Sequence, residues 1–204
     1  SKRRLFGVLG DLQLGWADQV FLDLTGRNDW SSTLPKGNRS FFYPGVTASW
    51  VFTETFKDAI SPNFINYGKV RAAYGKTGND ADPYYTSDTF VSGFAYTPYN
   101  LDAITFPMSN GTNSFKTSAT KGSASLKPEM TSEWEFGAEL HFLRNRITLD
   151  VSYYNRTTSD MIMRLNADPA SGYSYIMTNF GKVNNHGVEL AANFTPVHVG
   201  DWKW

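Results

Sequence analysis

EWEFGAELHFLRNRITLDVSYYNRTTSD, residues 133–160, is the stretch on which the reading of the whole chain depends. In its first half Trp134, Phe136, Ala138, Leu140 and Phe142 fall on one face at a period of two. Glu133, Glu135, Gly137, Glu139 and His141 fall on the other. The second half repeats the pattern, with Ile147, Leu149, Val151 and Tyr153 against Thr148, Asp150, Ser152 and Tyr154. Side chains alternate across a strand, so each half is a strand with one apolar and one polar face. A helical period would mix Trp134 and Ala138 with charged neighbours. Residues 143–145 between the halves form a tight turn. Each half has about the 9–11 residues that a tilted strand needs to cross a bilayer, which makes a membrane-spanning hairpin the hypothesis for the rest of the chain.

The strand pattern extends in both directions. Strands are expected over about 4–14, 19–28, 41–52, 68–77 and 181–194, giving seven with the hairpin and the start of another after a turn at 196–201. Pro44 inside the third suggests a bulge near one rim, and Asn185 and Gly187 suggest a bend in the last. Residues 54–67 read as a short helical turn ending near Pro62. Connections at 15–18, 143–145 and 196–201 are short and that at 54–67 somewhat longer, whereas those at 29–40, 78–130 and 157–175 are long. Short turns on one side and long loops on the other are the habit of outer-membrane barrels. Large aromatics gather near the strand ends, with Phe42, Tyr43, Trp134, Tyr153 and Tyr154 at the long-loop end and Trp50, Phe52, Phe142 and Phe194 at the other. This is the arrangement of two interfacial girdles. The expected fold class is therefore all-β, an antiparallel up-and-down transmembrane β-barrel present in part. The competing reading is a soluble β-sandwich whose aromatics fill a core.

Composition narrows the functions. A formal net charge of +0 and no basic block argue against electrostatic nucleic-acid binding. No cysteine means no disulfide framework, thiol nucleophile or thiolate metal site. No apolar run reaches the roughly 18 residues of a transmembrane helix, a test that barrels evade by alternation. Asp11 and Gln13 interrupt the apolar start, so it reads as a strand rather than a signal peptide. The chain opens inside one strand and stops in another, so it reads as an excerpt of a larger protein, all of residues 1–204 belonging to a single barrel domain.

Sites of chemistry are sparse. His141, His186 and His198 lack metal-ligand spacing and fall on different strands or turns. Glu133, Glu135 and Glu139 form an inward polar row rather than a hydrolytic pair. Asn79, Asp80 and Asp82 read as turn chemistry rather than a calcium loop. No catalytic residue, metal site or cofactor is expected. The surface with functional promise is the segment 78–130, where Tyr84, Tyr85, Phe94, Tyr96 and Tyr99 stand among Asn and Ser. Such aromatics suit stacking on a polar ligand or docking a partner, and they would equally pack the loop onto its neighbours.

Several stretches also resemble the barrel domain of SusC/RagA-type TonB-dependent transporters of Bacteroidota. These are LTGRNDWSSTLP (24–35), FFYPGVTASWVFTETF (41–56), GKVRAAYGKTGN (68–79), LKPEMTSEWEFGAEL (126–140), YYNRTTSDMI (153–162) and NFGKVNNHGVEL (179–190), in the family's order and spacing. The resemblance implies a barrel of about 22 strands with a plugged lumen, in the outer membrane, energised through TonB. It also implies a SusD-like surface lipoprotein as lid and oligosaccharide or peptide as cargo. The plug, the TonB box and the early strands have no counterpart in this sequence. The 78–130 segment matches only at its ends, so ligand preference does not carry over. The alternatives are a soluble carbohydrate-binding β-sandwich and an outer-membrane barrel hydrolase.

Overall fold

The computed structural model describes residues 2–61, 63–92, 107–196, 198–199 and 202–203. All seven expected strands form. They are β1 (Leu5–Trp16), β2 (Val20–Ser31), β3 (Ser40–Trp50), β4 (Ile65–Asn79), β8 (Glu129–Phe142), β9 (Ile147–Ser159) and β12 (Lys182–Phe194). They make one antiparallel sheet in the order β1-β2-β3-β4-β8-β9-β12. A single helical turn, α1 (Phe52–Thr55), follows β3. Short strands occupy the long connections: β5 (Phe90–Ser92), β6 (Phe115–Thr117), β7 (Thr120–Lys121), β10 (Ile162–Asn166) and β11 (Tyr175–Asn179). Near the end lie β13 (His198–Val199) and β14 (Trp202–Lys203).

Register turns the alternation into two faces. One row crosses all seven strands as Leu14, Leu22, Ala48, Ala72, Phe136, Tyr153 and Val188. The neighbouring row, one residue along, reads Gln13, Asp23, Thr47, Ala73, Glu135, Tyr154 and Gly187. The apolar row is exposed: Leu14 is 50%, Phe136 51% and Val188 69% accessible. Among the described residues no second layer covers this face, which rules out the sandwich reading, because a sandwich would bury these side chains against another sheet. A sheet with an open apolar face belongs against lipid. The strands run 11–15 residues, enough to span a bilayer and project beyond it.

On the polar face several charges pair across or along the strands. Arg71 of β4 reaches over β8 to Asp150 of β9 through two hydrogen bonds of 3.0 and 3.1 Å and touches Glu135 at 3.3 Å. Gly137 allows this, since a Cβ there would sit 2.5 Å from the guanidinium. Arg156 pairs with Glu133 at 2.8 Å, and His141 meets Glu139 at 2.9 Å.

Several expectations are corrected. At Pro44 there is no bulge: the β2–β3 register runs unbroken through Gly26–Pro44, and the ladder to β4 begins only at Gly45. Proline is tolerated where its missing donor has no ladder to serve. The irregularity falls instead at Asn66, skipped between the Ile65 and Tyr67 pairs. No register shift marks Asn185 or Gly187; Gly187 leaves room for Tyr154, whose hydroxyl lies 2.9 Å from where a Cβ would be. Tyr43 and Tyr154 are not girdle residues. Both face the polar side, Tyr43 donating to Asp29. The short-turn girdle does form, with Trp50 5.8 Å from Phe56 and Phe64 5.8 Å from Phe142.

The two tight turns use left-handed backbone. Ala17 and Asp18 have φ of 53° and 55°; Leu143, Arg144 and Asn145 have 52°, 57° and 65°. Positive φ matches the twist of hairpins but is unfavourable for residues bearing a Cβ. Asn145 is held by Asn66, whose Oδ1 accepts its N–H at 3.3 Å, and by His141 at 3.0 Å.

Candidate functional site

A buried hydrophobic cluster lies at the opposite, long-loop rim. Leu34, Phe41, Ala81, Leu126 and Met177 cluster there, with Tyr43, Tyr85 and Ile162 packed around them. Each comes from a strand end or a connection, so the loops supply the hydrophobic interior that the sheet lacks. Polar latches close the assembly. Asp80 accepts from Arg3, Ser31 and Thr33, tying the exit of β4 to the start of the chain and the β2–β3 connection. This gives Asp80 of the acidic run 79–82 a structural role, and among the described residues no cluster of three or more His, Asp or Glu with metal-holding geometry occurs. Asn179 donates to the carbonyls of Lys127 (2.9 Å) and Asp160 (2.7 Å) and accepts the Lys127 N–H (2.8 Å). Glu129 accepts the Ile162 N–H at 2.7 Å and the Asn79 amide at 3.2 Å.

These latches join two long connections. Strand β7, from the 78–130 segment, runs parallel to β11, from the 157–181 side, and β10 pairs antiparallel with β11. The segment 83–90 is laced to 117–123 as well. Ser118 donates its N–H to Thr89 O at 2.8 Å, Ser123 to Tyr85 O at 2.9 Å, and Gly122 to Asp88 Oδ1 at 3.0 Å. Gly122 is required for this approach, because a Cβ would lie 2.4 Å from the Ser87 backbone.

Between the 83–90 wall and the β10–β11 wall lies a cleft of about 990 Å³, at the upper end of the range for small-ligand sites. Tyr84, Asp88 and Phe90 face it from one side, Ile162, Arg164 and Met177 from the other, with the hydroxyls of Ser87, Thr89, Ser118 and Thr120 between. Tyr84 is 60% exposed and has φ of 74°. A bulky residue held in the left-handed region costs on the order of 1–3 kcal/mol, and such outliers concentrate at functional sites. The Tyr173 hydroxyl is pushed up by desolvation and then by the charge and hydrogen bond of Asp88.

The aromatics singled out from sequence therefore divide. Tyr84 opens into the cleft. Tyr85 also borders it but packs against the buried cluster, so it is in large part structural. Phe94, Tyr96 and Tyr99 lie outside the described residues. Phe90, Asp88, Arg164 and Met177 escaped the sequence reading. The alternating runs IMRLN and YIMTN, either side of Pro169 and Gly172, carried the signal for β10 and β11. The three glutamates of the inward row each meet a cation or imidazole, so they do not form a pair of free acids. His141 and His186 sit on opposite faces of the sheet, on β8 and β12.

A family model described as "TonB dependent receptor-like, beta-barrel" matches residues 1–204. The chain belongs to this family. It is an outer-membrane barrel family of receptors, not of enzymes, and the seven-stranded lipid-facing sheet is part of such a barrel wall. Among the described residues no helix is long and apolar enough to cross a membrane; the barrel family crosses with strands. The chain is 29% identical to the TonB-dependent receptor P26 of Formosa agariphila over 98% of its own length and 19% of the relative's. It is 28% identical to the TonB-dependent receptor SusC of Bacteroides thetaiotaomicron over 100% of its own length and 20% of the relative's. A chain of the RagAB peptide transporter superposes with a TM-score of 0.81 at 25% identity, over 98% of this chain and 21% of that one. The siderophore receptor PirA of Acinetobacter baumannii shares the fold alone, with a TM-score of 0.60 at 15% identity over 94% of this chain and 26% of that one. This chain thus spans about a fifth of the length of the curated relatives it matches.

Proposed function

We propose that this chain forms wall and outer mouth of an importer that takes up oligosaccharide or peptide nutrients with energy supplied through TonB. On this reading a SusD-like surface lipoprotein lids the barrel, and residues 1–204 are one continuous part of a single barrel domain. The cleft between 83–90 and β10–β11 acts as a capture site, helped by Phe94, Tyr96 and Tyr99. The supporting observation is the position and make-up of the cleft: an exposed Tyr84 on strained backbone, among hydroxyls, on loops held by a rigid sheet. Binding groups concentrate on such loops. The similarity to SusC and to the RagAB peptide transporter supports the transport reading.

The test is affinity of the purified full-length complex for oligosaccharide and peptide after replacing Tyr84, Tyr85, Tyr96 and Tyr99 singly by Ala. Heat-modifiable gel mobility serves as the folding control. Tyr84→Ala should weaken binding by roughly 1 kcal/mol or more, the usual mark of an important contact, without loss of folded barrel. Tyr85→Ala should also loosen the mouth. If all four variants fold and bind as wild type, the capture site belongs to the lumen wall instead.

A further inference from the structure

The cleft holds a guanidinium that, among the described residues, pairs with no carboxylate. Arg164 sits on β10 opposite Met177 of β11, and its guanidinium carbon lies 4.3 Å from the centre of the Tyr175 ring. Elsewhere Arg3, Arg27, Arg71 and Arg156 each meet a carboxylate. Among the described residues Arg164 has no such partner, and it is exposed to the cleft.

A guanidinium lying on an aromatic face has its plane set and its N–H edge free, which is the pose for gripping a planar two-oxygen acceptor. The same cleft contains Asp88, one of whose oxygens already accepts from Gly122. With Asp88 turned to the Gly122 N–H and the Tyr173 hydroxyl, Arg164 can hold one singly charged group, while the carboxylate of Asp88 in the same cleft repels a doubly charged phosphate more strongly. We propose that this cleft recognises a carboxylate on its ligand, held by Arg164 on Tyr175, with the ring of Tyr84 supplying apolar contact and Thr120 and Ser118 neutral hydrogen bonds. The carboxylate belongs either to a uronate unit of an oligosaccharide or to the terminus or acidic side chain of a peptide. This inference rests on the reading of the cleft as a capture site.

The experiment uses the full-length transporter, purified in detergent and titrated calorimetrically with matched probes. One pair is an oligogalacturonate and a neutral oligogalactoside of equal length. The other is a short peptide with a free carboxyl terminus and its C-terminal amide. A sulfated oligosaccharide is the fifth probe. One carboxylate probe should bind about tenfold or more tighter than its neutral partner, the worth of a hydrogen bond to a charged group, and which pair responds identifies the source. Arg164→Gln should bring the charged probe down to the affinity of the neutral one and leave the neutral one unchanged. Tyr84→Ala should weaken both members of the pair alike.

If Arg164→Gln leaves the carboxylate probe unaffected while Tyr84→Ala weakens both, the carboxylate inference is wrong and the capture site stands. If neither variant changes binding, the capture site itself is wrong. Binding of the sulfated probe alone, or of no carboxylate probe by the wild type, also overturns the proposal.

Discussion

Val151 and Ser152 are neighbours on β9 that face opposite media, so the same substitution at each separates the barrel wall from any water-soluble sheet. Val151 stands in the apolar row between Ala138 and Leu190, four residues along from Ile147 at the short-turn rim. At about 3.3 Å per residue and a tilt of about 45°, that places it roughly 9 Å above the rim pair. The apolar band of such barrels is about 25 Å tall, so Val151 lies near its middle, where arginine costs about 2–4 kcal/mol. Ser152 borders a polar hollow of about 260 Å³ with Glu133, Glu135 and Glu189. An arginine there meets Glu189 and the already paired Glu133 and Glu135, with Arg156 as a like-charged neighbour, and its net effect should stay within about 1 kcal/mol, as for other partly exposed ion pairs. The assay is urea unfolding of the full-length protein in phosphocholine vesicles, followed by heat-modifiable mobility and tryptophan fluorescence. Val151→Arg should lose at least about 1–2 kcal/mol more than Ser152→Arg. Equal losses, or a larger loss at Ser152, would refute the assignment of faces.

Three further outcomes follow from the same geometry. Cysteine at Ser109 or Ser171 should react with an impermeant maleimide on intact cells, while cysteine at Asn145 should react only after lysis; labelling at Asn145 alone reverses the topology. Asn179→Ala removes three hydrogen bonds to Lys127 and Asp160 and should cost about 1–3 kcal/mol locally. It should be read as faster hydrogen exchange at Leu126 and Lys127 with unchanged exchange in β8, and uniform protection would show that the latch is idle. Gly137→Val should push Arg71 off Asp150, so the Arg71–Asp150 coupling from a double-mutant cycle, about 0.2–1 kcal/mol for a partly exposed pair, should vanish in that background. Persistence of the coupling would mean that Arg71 does not depend on the gap at Gly137.

The sheet was legible because lipid and lumen impose a strict period of two. Once Trp134, Phe136 and Leu140 were set against Glu133, Glu135 and Glu139, every other strand followed within a few residues. What stayed hidden was structure that depends on partners far along the chain. Strand β2 continues through Ser31 and β9 through Ser159 because Leu5 and Lys182 are there to pair with them, which local composition rich in Ser, Asn and Asp does not disclose. The cleft was half visible. Tyr84 stood out as an aromatic in a polar segment, but its other wall comes from β10 and β11, which turn chemistry around Pro169 and Gly172 disguised as loop. Pro44 misled for the opposite reason: the rule that proline breaks a ladder holds only where a ladder exists on that side.

The parallel pairing of Thr120–Lys121 with Tyr175–Ile176 has a consequence for engineering. Two connections that lie far apart in sequence share one hydrogen-bonded seam, reinforced by the N–H groups of Ser174 and Tyr175 on Ala119 O at 2.9 and 3.0 Å. A graft that exchanges only the first connection between relatives would strand the second with unmet backbone groups and a severed floor. Transplanting the selectivity of one such mouth onto another barrel therefore calls for moving both connections as a single cassette, cut at the ends of β4, β8, β9 and β12.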